Sequence, residues 1–153
     1  MGMGRTDIID DILTLLKNAT STNLVALADS SIEYGLRTSQ QIHSVQHRKG
    51  IFVDLAGFVL NPENIGGSKQ ELLQTVEITL YCVGHDATAD ARYIAALLEE
   101  IEAVLWASAN RILAHGAWIL AEPEGLVGPP LGNAEMTIHW CAVNFNYRKS
   151  GAL

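Results

Sequence analysis

The chain has 153 residues, which suits a single domain that can bury a sizeable core without a disulfide or a metal. Hydrophobic residues make up 48% of the chain and charged residues 18%, a balance that excludes an intrinsically disordered chain and a coiled coil. The net charge of −7 argues against a reader of duplex DNA and against a basic membrane-surface helix. No apolar run approaches the ~20 residues of a membrane span. The acidic start does not resemble a signal peptide, and two cysteines suit a reducing cytosol.

The first predicted element is an amphipathic helix over 7–17. Its apolar residues recur at helical spacing, and they are Ile8, Ile9, Ile12, Leu13 and Leu16. A polar break follows. We interpret 24–50 as a long loop or weakly ordered segment with some local structure, because a short apolar run there gives way to a polar, basic stretch.

Two strands are predicted next, over 51–56 and 75–83. The segment 51–60 is rich in β-branched and aromatic residues, and Gly57 is a candidate bend or bulge within it. The segment 61–71 carries turn residues. Strict alternation in 75–83 directs Val76, Ile78, Leu80 and Cys82 to one face of the sheet.

The second half of the chain predicts a helix over 90–112, ended by His115-Gly116, and strands over 117–122 and 135–147. A Pro- and Gly-rich loop, 123–134, separates those strands. The order of elements predicts one α+β domain over 1–153. It has an antiparallel or mixed sheet of about four strands, with two helices packed on one face.

The candidate zinc ligands in the sequence are Cys82, His85, Asp86, His139 and Cys141, because thiolate and imidazole are the ligands that zinc prefers. The spacing matches no closed-site motif, and strand alternation places Cys82 on the inward face and His139 with Cys141 on the other. We therefore expect two buried or half-buried thiols, no metal, no cofactor and no catalytic residue.

The predicted terminal strand is apolar on both faces, and the strand 75–83 also has large residues on its second face. Two helices cover only one side of a sheet, so the second apolar face must meet a partner or be covered by 24–50. We predict an oligomer interface there, built from Tyr81, Val83, Val143, Phe145 and Tyr147.

The order of these segments resembles the tail-terminator (tail-completion) proteins of long-tailed bacteriophages. The resemblance rests on the N-terminal amphipathic helix, IFVDL, TVEITLYCVG, the helix ATADARYIAALLEEIEAVL and the closing hairpin that ends in HWCAVNFNYR. It covers the first helix and most of the chain from Ile51 onward. The segment from about Asn23 to Lys49 departs from the family pattern.

The resemblance implies a non-enzymatic virion protein of the tail or neck, assembled in the host cytoplasm, with no membrane partner. Its relatives form a hexameric ring on the end of the tail tube, which stops tube growth and supplies the surface that joins the head. The implied partners are further copies of the chain, the tail-tube protein and a head-completion or connector protein. DNA would pass through the lumen without sequence-specific binding, and an acidic ring would repel its phosphates.

Two loops are predicted to dock the neighbouring proteins, because Gly and Pro leave the backbone exposed and adaptable. Their residues are Gly66 and Gly67 in the first loop and Gly128, Pro129 and Pro130 in the second. Two alternatives remain open. One is another neck, head-completion or tail-tube protein of the same particle, and the other is a small cytosolic metal-binding enzyme that uses Cys82, His85, Asp86 and His139.

Overall fold

The computed structural model describes residues 5–35, 48–62, 69–84, 86–120, 124–127, 131–132 and 137–152. Three helices lie in this part of the chain: α1 (Arg5–Lys17), α2 (Thr22–Ala26) and α3 (Ala87–Trp106). The strands are β1 (Ile32–Tyr34), β2 (Lys49–Pro62), β3 (Lys69–Gly84), β4 (Trp118–Ile119), β5 (Glu124–Val127), β6 (Leu131–Gly132) and β7 (Thr137–Ala152). The fold is α+β, as the sequence predicts.

Strand β3 lies at the centre of the sheet. It pairs antiparallel with β2 on one side and with β7 on the other, and the β3–β7 register runs without a break from Lys69↔Ala152 to Gly84↔Thr137. Strand β1 adds in parallel to the start of β2, and the short strands β4, β5 and β6 share the outer side of β7. The seven strands therefore occupy five positions across a mixed sheet.

Helices α1 and α3 pack on one face of this sheet, as predicted. Ile8, Ile12 and Leu16 of α1 are fully buried, and they share one core with Leu97, Ile101 and Leu105 of α3. The sheet supplies the other half of that core through alternate residues, among them Val76, Ile78 and Leu80 of β3. Burial of this apolar surface, at roughly 25 cal/mol per Å², is the main stabilising contribution.

Some element bounds differ from the prediction. Helix α3 ends at Trp106 rather than at 112, because Ala107 leaves helical dihedrals and side chains satisfy the last carbonyls. Asn110 donates its side-chain amide to the Val104 carbonyl, and the Arg111 Nε–H donates to the Trp106 carbonyl. The predicted stop at His115-Gly116 is therefore wrong. Gly116, with a φ of 89°, instead lies in the turn that leads into β4.

The interpretation of 24–50 as a loop is also corrected where the chain is described. Helix α2, a 3-10 turn at Asp29–Ser31 and strand β1 occupy part of it, and residues 36–47 lie outside the described ranges. The predicted loop 123–134 contains β5 and β6, which pair with β7. The predicted turn 61–71 is shorter, since β2 continues to Pro62 and β3 begins at Lys69.

Glu100 of α3 holds α2 in place. Its carboxylate accepts hydrogen bonds from the backbone N–H groups of Asn23 (2.8 Å) and Leu24 (3.2 Å), and from the Asn23 side chain. These are donors that the N-terminus of a helix leaves unpaired. Desolvation acts to raise the pKa of Glu100, but hydrogen bonds from Leu24, Ser21 and Asn23 outweigh it and lower the pKa below its ordinary value of 4.5.

Glu100→Ala is expected to lower the free energy of unfolding by about 1 kcal/mol at pH 7, because α2 loses its capping carboxylate. The matched control is Glu99→Ala, since Glu99 is exposed on the same helix. The folded-state pKa of Glu100 is depressed, so its contribution is complete above about pH 4.5 and is lost as the pH falls through the folded pKa. Urea titrations at several pH values measure it, and a deficit that does not shrink as the pH falls below 4.5 would contradict it.

Candidate functional sites

The structure corrects the predicted oligomer interface. Val143, Phe145 and Tyr147 face the helices, because they lie opposite Ile78, Val76 and Gln74 of β3 in the sheet register. All three are at most 2% exposed and belong to the same core as α1 and α3. The expectation that they lack a covering helix is wrong, because all three lie on the face of the strand opposite to the predicted one. They are core residues.

Tyr81 and Val83 do lie on the second face, away from the helices, but they are buried there within the chain. Together with Phe52 and Ile138 they form a separate apolar cluster, against which Trp140 packs. The rings of Phe52 and Tyr81 stack with their centroids 5.0 Å apart. A Cβ on Gly50 would lie 2.5 Å from the Tyr81 hydroxyl, so a glycine is required under that ring.

The outer side of β2 carries the most concentrated exposed apolar surface in the described part of the chain. Phe58, Val59 and Leu60 are consecutive and are 51%, 52% and 41% exposed. We call residues 57–62 the β2 edge. A bulge between Leu55 and Gly57 shifts the register just before it, so Val59 points to the second face and Phe58 and Leu60 to the helix face.

A cavity of about 300 Å³ lies beside the β2 edge on the second face. Val59, Leu73 and the 44%-exposed Leu120 line it, with a hydrogen bond of 2.7 Å between the Thr75 hydroxyl and the Asn146 side chain at its floor. Large exposed apolar side chains gathered at one place are typical of a contact surface. The sequence offered a signal for it, since the apolar run of β2 continues past Gly57.

Two carboxylates lie opposite each other on the second face, further along the same strands. Asp54 of β2 pairs in register with Glu77 of β3, and both are partly exposed. Like charges directly opposite each other on a sheet face are destabilising. Two acidic side chains therefore lie side by side on this face of the sheet, despite the cost of their repulsion in folding free energy.

The structure brings two of the candidate zinc ligands, Cys82 and His139, together. The prediction that placed them on opposite faces of the sheet is therefore wrong. Cys82 and His139 are directly paired across β3 and β7 and share the helix face. Asp90, in the first turn of α3, lies between them: it accepts a hydrogen bond from the Cys82 thiol (3.5 Å) and lies 3.8 Å from the His139 Nε2. A Cβ on Gly84 would lie 2.5 Å from the Asp90 carboxylate.

This cluster lacks the chemistry of a nucleophile. Desolvation, followed by the Asp90 charge and hydrogen bond, raises the pKa of Cys82 to about 11, so the thiol keeps its proton near neutral pH. Cys141 is buried as well, and desolvation raises its pKa. Within the described ranges, no group of three or more His, Cys, Asp or Glu side chains is placed to hold a metal ion.

The remaining candidate residues have other positions. Asp86 is the N-cap of α3, where its carboxylate accepts the Ala89 N–H at 3.0 Å. His85 lies outside the described residues, as do the predicted docking residues Gly66, Gly67, Gly128, Pro129 and Pro130. Across the portion of the chain that the structure covers, no helix is both long enough and apolar enough to span a membrane.

The likeness of this chain to known proteins lies in its structure. No protein-family model matches the chain, and no curated protein matches it. Among solved structures, the chain is similar to a chain of the virion of a native gene transfer agent particle. That alignment has a TM-score of 0.49 and 14% sequence identity, and it covers 91% of this chain and 92% of the other.

Phe145→Asp is expected to prevent stable folding, because it places an unpaired charge in the fully buried core. Val25→Asp is the matched control, since the Val25 side chain is 61% exposed on α2 and its replacement should leave the thermal unfolding temperature nearly unchanged. Circular dichroism melts compare the two variants. A folded Phe145→Asp protein with a wild-type melting temperature would contradict the assigned register.

Both thiols are expected to resist modification by a disulfide reagent at pH 8 in the folded protein and to react at once in guanidinium chloride. The reason is that each cysteine is only 1% exposed and that the thiolate of each is disfavoured by burial. Cys141→Ser isolates Cys82 for this test. Stoichiometric reaction of the folded variant within seconds would contradict the burial of Cys82.

Proposed function

We propose that this chain is a structural subunit of a phage-like virion. It assembles as a closed ring, a hexamer by the family resemblance, at the head-proximal end of the tail tube. There the ring stops tube polymerisation and provides the surface for head joining. The resemblance of the sequence to tail-terminator proteins supplies the specific role.

The observation that carries the assembly part of the proposal is the exposed apolar run of the β2 edge. A long, apolar edge strand is a liability in a monomer, because it invites association with other strands. In an obligate assembly, the apolar side chains of such a strand are buried between subunits. Val59, Leu60 and Leu120 are exposed in the single chain and would be covered in the ring.

The pair of carboxylates on the second face supports passage of DNA through such a ring. Asp54 and Glu77 would present negative charge to the lumen if this face lines it, and the chain as a whole carries a net charge of −7. Negative walls repel phosphates, so DNA would pass without binding. The partners of the ring are then the tail-tube protein on one side and a head-completion or connector protein on the other.

The metal-binding enzyme is the weaker alternative. Among the described residues, Cys82, Asp90 and His139 come together, but they are not placed to hold a metal ion, and the Cys82 thiol keeps its proton near neutral pH. A neck, head-completion or tail-tube protein of the same particle is the closer alternative, since the same ring and the same exposed edge would suit it.

The test of the proposal is the native mass of the purified protein together with electron micrographs of it mixed with tail tubes. We expect a ring-sized oligomer that binds one end of the tubes and stops further addition of tube subunits. Binding along the whole tube would favour a tube protein, and binding to heads alone would favour a head-completion protein. A protein that is monomeric both alone and with tubes would contradict the ring.

The second of the two loops proposed for docking has a separate test. Replacing Gly128, Pro129 and Pro130 together by serine is expected to leave the ring mass unchanged and to block joining of tails to heads, because the change is confined to the proposed contact with the neighbouring protein. In vitro complementation of tails lacking the protein measures joining. Joining at the wild-type level would refute the role of this loop.

A further inference from the structure

Helix α1 carries a stripe of three exposed residues on the side away from the core. They are Asp10, Thr14 and Lys17, and their spacing of four and three residues aligns them along the helix surface. Neither Asp10 nor Lys17 forms an ion pair with a described residue. The Thr14 hydroxyl donates to the Asp10 carbonyl at 2.9 Å. The stripe therefore has a free carboxylate at one end, a free ammonium group at the other and a small neutral residue between them.

A cavity of about 280 Å³ adjoins this stripe. Thr14 and Leu15 of α1 form one wall, and the segment 109–114 that follows α3 forms the other. Ile112 lines the cavity but is 65% exposed, the largest exposed fraction among the large hydrophobic residues of the described chain. One surface therefore presents an apolar projection beside a hollow.

The second wall of the cavity is held firmly against α1. Asp11 is 7% exposed, and its carboxylate accepts the His115 backbone N–H at 2.9 Å and contacts the His115 Nδ1 at 2.7 Å. The Leu113 N–H donates to the Ala117 carbonyl at 2.7 Å and closes the turn. A surface that is fixed before binding loses little conformational entropy when a partner arrives.

We infer that two copies of this chain associate through this surface about a two-fold axis. The two α1 helices lie antiparallel and cross at Thr14, and Ile112 of each copy enters the cavity of the other. Thr14 lies near the midpoint between Asp10 and Lys17, so this crossing places each carboxylate against the ammonium group of the other copy. In a two-fold contact every such pair occurs twice.

The partner is a second copy because the surface is complementary to itself in charge and in shape. Antiparallel helices match Asp10 with Lys17 in both directions, whereas parallel helices would place like charges together. The projection and the hollow belong to the same surface, as a self-complementary contact requires. Exposed ion pairs contribute little free energy, so they set the orientation, and burial of Ile112 supplies the affinity.

This contact is separate from the one that closes the proposed ring. Neighbours in a ring meet through two different surfaces, whereas a two-fold contact uses the same surface of both partners. Single chains would form dimers through it, and two rings would associate face to face and double their native mass. The inference therefore does not rest on the proposed function.

Charge reversal tests the antiparallel pairing. Asp10→Lys alone and Lys17→Asp alone should each weaken the two-fold association by about tenfold, because each replaces two ion pairs with two like-charge contacts. An equimolar mixture of the two variants should recover it, since every lysine then faces an aspartate. Sedimentation velocity over a range of concentrations measures the association. The control is Glu99→Lys, which changes an exposed carboxylate on α3 and should have no effect.

A disulfide and an apolar-to-acidic change test the geometry. Thr14→Cys should give a covalent dimer on mild oxidation, because the axis brings the two copies of position 14 together. Val25→Cys should not, and the native Cys82 and Cys141 are each 1% exposed and do not compete. Ile112→Asp should abolish the association, and Val25→Asp should not, although the two side chains are 65% and 61% exposed.

Four results would overturn the inference. One is a mixture of the charge variants that associates no better than either variant alone, and another is a Thr14→Cys protein that forms no disulfide dimer. Loss of the ring itself in Asp10→Lys would assign this surface to the ring contact. A wild-type ring that never doubles in mass, but whose binding to tail tubes is blocked by Ile112→Asp, would assign the surface to the tube protein and leave the proposed function standing.

Discussion

Full-length pairing of β3 with β7 is the constraint on which the rest of this fold depends. Sixteen residues of each strand pair without a bulge, so the choice of one residue pair fixes the face of every side chain on both strands. Because Leu80 lies opposite Cys141, the side chains of Val143, Phe145 and Tyr147 lie on the face that the helices cover. The same register leaves Tyr81 to stack on Phe52 on the other face.

The helices then follow from the sheet. Helices α1 and α3 together cover one face, and short polar contacts hold the smaller elements against them. Glu100 caps α2, and Asp11 of α1 accepts the His115 backbone N–H at 2.9 Å in the turn before β4. At 7% exposure, Asp11 is the one buried charged side chain in the described ranges, and His115 also contacts its carboxylate at 2.7 Å. Among the described residues of the outer strand β2, Val59 and Leu60 remain 52% and 41% exposed.

The sequence predicts the fold class and the main elements well, because the apolar periodicities of α1, α3 and β3 are strong. It fails where the pattern is weak or has two readings. The tail 148–152 is polar and carries no alternation, yet it is a strand because it pairs with 69–73. The terminal strand is apolar on both faces, so alternation alone could not decide which face meets the helices. That ambiguity reversed the predicted interface and separated Cys82 from His139.

A ring of the proposed kind would bury the exposed side chains of Val59 and Leu60 between its subunits. Hydrogen–deuterium exchange of the assembled protein tests this central claim most directly. The account predicts that amides in 57–61 exchange more slowly in the assembly than in dissociated subunits, while the amides of α2 remain unchanged. Equally fast exchange of 57–61 in the intact ring and in single subunits would contradict it.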